Sequence, residues 1–180
     1  MKKLKNNFGF TMIELLIVMS VIGILSSSVF LNWKHGESGF ALQNSAYKLS
    51  QDIREMQEMA MEAKEIDCGG GDTCSSFGVY FNKSYINYYL LFVDCDGNKA
   101  YETVNDKLIR PAVYFEDGIE FFNLSSPATA FSVLFVPPEP TTYIKNETSD
   151  IEAVISVYDP DYPSEKKTIR LNTSGMIEIK

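Results

Sequence analysis

The chain has 180 residues, 45% apolar and 13% aromatic, with 16 Lys+Arg against 24 Asp+Glu for a formal net charge of −8. That length allows one domain with an appendage, and the composition supplies a packed core, which sets disorder aside. Ordinary Gly and Pro contents and the lack of an internal period exclude collagen-like and repeat classes, and the acidic balance disfavours a general nucleic-acid binder.

From Leu15 to Trp33 no residue is charged, and the run reaches back to Phe10 if Glu14 is admitted. At ~1.5 Å per residue, a helix over 10–33 is long enough to cross a hydrocarbon core of ~30 Å. Lys2, Lys3 and Lys5 precede it and assign the N-terminus to the cytoplasmic side, with the chain beyond residue 35 on the other. Trp33, Lys34 and His35 follow the run, and Trp and Lys favour a membrane interface. A secretory signal competes with this reading: Ser26, Ser27 and Ser28 offer a cleavage point and Val29 a mature start. Gly9 at the polar/apolar boundary and Glu14 inside the apolar segment oppose it. A carboxylate within a membrane is costly unless partnered. Cleavage between Gly9 and Phe10 creates a partner, because the new α-amine lies one helical turn from Glu14 or reaches the Glu14 of a neighbouring subunit.

Lys5-Asn-Asn-Phe-Gly9 followed by Phe10-Thr-Met-Ile-Glu14-Leu-Leu-Ile-Val-Met-Ser-Val-Ile-Gly23 resembles the class III signal of type IV pilins and type II secretion pseudopilins, over residues 2 to about 30. The resemblance implies a leader at 1–9, cleavage after Gly9 by a prepilin peptidase, N-methylation of Phe10, and Glu14 as the filament-assembly residue. The implied partners are other pilin or pseudopilin subunits, the prepilin peptidase/N-methyltransferase, an inner-membrane assembly platform and the lipid bilayer. The implied location is the bacterial inner membrane, as a single-pass protein, and later a pilus or pseudopilus. Leu31 stands where many major pilins have proline, so the melted helix segment tied to that proline is not implied.

Beyond Gly36 and Gly39, which are expected to interrupt or bend the helix, Leu42, Ala46, Leu49, Ile53, Met56, Ala60 and Ala63 recur at alternating spacings of four and three. This predicts an amphipathic helix over 36–66, following the membrane helix over 10–35, with its stripe on the chain's own sheet rather than on a coiled-coil partner. Cys68-Gly-Gly-Gly-Asp-Thr-Cys74 is expected to end it. Strands are expected over 77–81, 85–93, 119–124, 130–136, 151–158, 168–172 and 176–179, with turns at Asp96-Gly97-Asn98 and Thr173-Ser174-Gly175. Pro137, Pro138 and Pro140 predict a loop running to about Asp150. The expected fold is α+β: a long N-terminal helix packed on an antiparallel β-sheet head at 67–180. The order of these strands and turns resembles H-type minor pseudopilins and related minor pilins.

An exported head permits disulfides. Cys68 and Cys74 enclose five residues of glycine-rich loop, so a small Cys68–Cys74 ring is expected, with Cys95 free, buried or an alternative partner. His35 is the single histidine, which leaves no zinc set and no Ser/His/Asp or Cys/His catalytic set in the head. Asp94-Cys-Asp96-Gly97-Asn98 has alternating oxygen donors but misses the EF-hand spacing, and a hairpin turn explains it without calcium. No enzyme activity, metal or cofactor is expected. Lys166, Lys167, Arg170 and Lys180 form a basic cluster that keeps open an alternative, a pilus-tip subunit binding DNA or a surface. A signal-anchored extracytoplasmic binding domain unrelated to filaments is the other.

Overall fold

The structure is a computed structural model and describes residues 10–69, 71–124, 129–137, 141–144 and 152–180, with backbone alone at 29–35 and 72. The leader at 1–9 with Gly9, the side chains of Leu31, Trp33, Lys34 and His35, and most of the loop expected up to Asp150 lie outside the described residues. The chain divides into two compact units, Met1–Glu37 and Ser38–Lys180, and helix α1 (Met12–Met61) contributes residues to both. Helical structure runs through Gly36 and Gly39, where an interruption was expected.

α1 ends earlier than its apolar periodicity suggests. Ala63 takes a left-handed conformation (φ 46°), its N–H donates to the Ala60 carbonyl at 3.0 Å, and the Lys64 N–H donates to the Met59 carbonyl at 3.1 Å. This is a Schellman closure with alanine in the place usually taken by glycine. The glycine-rich stretch therefore does not stop the helix. It forms a hairpin, β1 (Ile66–Gly69) with β2 (Asp72–Cys74), in which Gly69 and Gly71 take φ of 99° and 95°.

Two larger antiparallel sheets follow. The first has six strands, β5 (Lys107–Leu108), β4 (Tyr88–Val93), β3 (Phe77–Asn82), β8 (Ala130–Val136) and β9 (Thr141–Ile144) in that order, with β6 (Val113–Tyr114) also pairing with β4. The second is ordered β12 (Ile177–Ile179), β11 (Lys166–Asn172), β10 (Glu152–Tyr158), β7 (Glu120–Leu124). Strand β9 corrects the expectation of a loop after the prolines: Thr142 and Ile144 are buried and the strand pairs with β8 from Val136↔Thr141 to Val133↔Ile144. Its β-branched and aromatic residues suit a half-buried ladder once past Pro140.

Within Ser38–Lys180, one apolar core contains Leu42, Ala46, Leu49, Ile53, Met56 and Ala60 of α1 together with Phe77, Val79, Phe81, Leu91, Val133, Ile155 and Ile169 of the strands. Polar contacts accompany it. The Tyr89 hydroxyl donates to Asp52, Arg110 bridges Asp52 and Glu55, the Glu116 N–H donates to Ser45 Oγ at 3.1 Å, and Lys48 Nζ donates to the Tyr114 carbonyl at 3.2 Å.

The cysteines are arranged differently from the expected ring. The disulfide joins Cys68 to Cys95, with Cα atoms 5.7 Å apart, and Cys74 stands outside it. Cys74 pairs with Ile66, while Cys68 stands at the register shift between Asp67 and Gly69, outside the regular ladder. Strand β4 brings Cys95 back beside the hairpin, where Asp94 N–H donates to the Ser76 carbonyl at 3.0 Å.

Candidate functional site

Among the described residues, Phe10 and Thr11 stand ahead of the first helical residue, Met12. Thr11 and Glu14 form a reciprocal cap: Glu14 N–H donates to Thr11 Oγ1 at 3.3 Å, while Thr11 N–H donates to Glu14 Oε2 at 3.4 Å. Each side chain thus satisfies a backbone donor that the first helical turn leaves open, and the carboxylate also sits favourably at the positive end of the helix dipole. The Thr-x-x-Glu spacing of this cap is plain in the sequence, where Glu14 is otherwise legible as a first-turn carboxylate and as a charge seeking a cation.

Beyond the cap, apolar side chains cover every side of the helix. Phe10 is 80% exposed, and Ile13, Leu16, Ile17, Met19, Ile22, Ile24 and Leu25 are exposed with it. Two hydroxyls among them turn onto the backbone, Ser20 Oγ donating to the Ile17 carbonyl and Ser27 Oγ to the Ile24 carbonyl, each at 2.8 Å. Among the described residues no helix is long and apolar enough to cross a membrane; the described side chains run from Phe10 to Ser28 and resume at Gly36.

Residues 4–30 match the family model of the prokaryotic N-terminal methylation motif. The chain carries that methylation motif. It is consistent with a type IV pilin-like protein and supports a subunit of the type IV pilin family. No curated protein and no solved structure matches the chain. Within the motif, Glu14 and Phe10 lie on one exposed helical start, while Gly9 is outside the described residues.

The other residues singled out in the sequence fall outside the motif. Asp94, Asp96 and Asp106 bring carboxylate oxygens within 4.8 Å of one another. They are occupied in fixing the loop between β4 and β5: Asp94 accepts from the N–H groups of Gly97 and Lys99, and Asp106 from those of Cys95 and Glu102. Burial pushes the Asp94 and Asp106 carboxyls above their ordinary value, against the lowering effect of those backbone donors. The hairpin is therefore wider than Asp96-Gly97-Asn98 alone, and β5 pairs back onto β4 at Phe92↔Leu108.

The basic cluster is largely engaged. Arg170 Nε lies 3.7 Å from Glu152, Lys180 Nζ lies 3.2 Å from Glu178, and Lys166 Nζ sits 5.2 Å from the centre of the Phe122 ring. Carboxylates thus stand next to Arg170 and Lys180, two of the cations a polyanion would have to reach.

Proposed function

We propose that the chain is a minor pilin or pseudopilin, a structural subunit of a type IV pilus or type II secretion pseudopilus. The methylation motif at residues 4–30, leading into an exposed apolar helix, carries this reading. Proteins with the motif are structural filament subunits rather than enzymes. In the proposed sequence of events, the precursor is anchored in the inner membrane by the apolar helix, with its head outside the cytoplasm. Prepilin peptidase cuts after Gly9 and the new amine of Phe10 is methylated. Glu14 then exchanges its contact with Thr11 for the N-terminal amine of an adjacent subunit. The exchange is balanced: Thr11 contacts of 3.4–3.5 Å are long, and an ammonium partner offers Glu14 a stronger, charge-assisted hydrogen bond.

Intact-mass and N-terminal analysis of the mature protein tests the processing step. An N-methylated Phe10 start is expected, and a start at Val29 would assign the apolar segment to an ordinary secretory signal. Glu14→Gln tests the assembly step, with filament incorporation expected to be lost while membrane insertion remains. Incorporation at the wild-type level would refute the pairing role.

A further inference from the structure

Three sulfur atoms meet where the β1–β2 hairpin touches the end of β4. The Sγ atoms of Cys68, Cys74 and Cys95 all lie within 4.8 Å of one another, and each residue is half-buried. Cys68 and Cys95 are bridged, while the Cys74 thiol contacts the Cys95 backbone carbonyl at 3.5 Å. Disulfides break and re-form when a thiolate reaches one of the two sulfurs, so a thiol held beside a bridge is placed for exchange. The remaining separation is one that a change of side-chain rotamer spans.

We propose that this bridge is one of two interconverting isomers and that Cys74 is the exchanging thiol. Cys74 loses its proton to solvent and its thiolate attacks Sγ of Cys95. The Cys74–Cys95 bond forms as the Cys68–Cys95 bond breaks, and Cys68 leaves as a thiolate that takes up a proton. One S–S bond is exchanged for another, so neither an oxidant nor a reductant is consumed. Cys95 is the sulfur attacked because Cys74 Sγ already sits against the Cys95 backbone, 3.5 Å from its carbonyl oxygen. Chain entropy does little to separate the two isomers, since it depends on the logarithm of loop length and the two loops are of similar size.

The isomers differ in what they tether. Cys68 lies in β1, the first strand after α1, and its bridge ties that strand to the loop beyond β4. Cys74 closes β2, so the exchanged bridge moves the tether past the hairpin. Strand β1 is then held by its ladder with β2 and by Lys107 Nζ, which donates to the Asp67 carbonyl at 3.0 Å. Cys74 thus controls whether the segment joining the helix to the sheets is covalently attached.

The test uses the full chain in detergent, freed of reductant and incubated between pH 6 and pH 8.5. Samples are quenched in acid, alkylated under denaturing conditions and mapped by mass spectrometry. Label is expected on both Cys68 and Cys74, with the approach to the mixture accelerating about tenfold per pH unit while the thiol is mainly protonated. Label confined to Cys74 at every pH and time overturns the proposal. Cys68→Ser is expected to form a Cys74–Cys95 bridge that leaves no alkylated cysteine, and alkylation of both remaining cysteines in that variant overturns it as well. The wild-type measurement decides alone if the variant does not fold.

Discussion

Asp52 is a buried acid on α1, and it persists there because Tyr89 and Arg110 both donate to it. Burial pushes the Tyr89 phenol far above its usual value, and its hydrogen bond to Asp52 adds to the rise, so the hydroxyl remains a donor throughout the working pH range. Tyr89→Phe keeps the ring packed and removes one of the donors. A loss of about 1–2 kcal/mol is expected in urea unfolding, and unchanged stability would show that Arg110 suffices alone. At the other end of this scale, Ala63 bears a Cβ in a left-handed conformation that costs ~1 kcal/mol or more. Ala63→Gly is expected to raise stability by about 0.5–1 kcal/mol, less than the full strain because glycine gains freedom in the unfolded chain. A lower melting temperature would mean that the alanine methyl makes contacts worth more than the strain. At the residue scale, Phe10 and Glu14 lie within the matched residues 4–30, and the Thr11–Glu14 cap was missed although both residues stand at the required spacing. The cysteine pairing was not legible, because it depends on where β4 returns rather than on the short Cys68–Cys74 separation.

Among the elements, the strands rich in aromatic and β-branched residues were the readable ones. Strand β8 occupies the expected range and β3, β7, β10, β11 and β12 lie within a residue or two of theirs, because alternation and flanking turns mark a half-buried ladder locally. The hairpin β1–β2 was hidden by glycines that serve a helix stop and a tight turn equally well, and β9 by the prolines before it. What locks β3 between its neighbours is also outside local pattern. A Cβ on Gly78 would stand 2.7 Å from Phe92 Cε1 and 2.8 Å from the Val133 carbonyl oxygen. The phenyl ring has some freedom to move, but the carbonyl belongs to the paired strand β8 and is fixed by the ladder. Gly78→Ala is therefore expected to destabilise the protein by about 2 kcal/mol or more, measured by chemical denaturation. A neutral result would show that β3 and β8 separate without cost at this point.

For the whole molecule the governing quantity is charge. With 24 carboxylates against 16 basic groups, acidification from neutrality relieves self-repulsion, and the Asp94–Asp106 loop acts in the same direction. Both carboxyls have folded pKa values raised above the ordinary 3.8, chiefly by burial. The folded state consequently binds more protons than the unfolded one over the interval between 3.8 and the raised values. The stability they contribute is complete below the unfolded value and is lost as pH rises through the folded values. Removing the leader would strengthen the background trend, since it takes three lysines and moves the formal net charge from −8 to −11. Asp106→Asn separates the local effect from the global one. It leaves the head nearly as acidic, retains one acceptor for the N–H groups of Cys95 and Glu102, and cannot titrate. Urea unfolding followed from pH 7 down to pH 4 is expected to show wild-type stability rising as pH falls, with a shallower rise in Asp106→Asn on top of a pH-independent loss from the missing acceptor. Parallel curves would assign the whole pH response to net charge and remove the buried loop from it. A rise that disappears at high salt would point the same way, because salt screens exposed charges far more than buried ones.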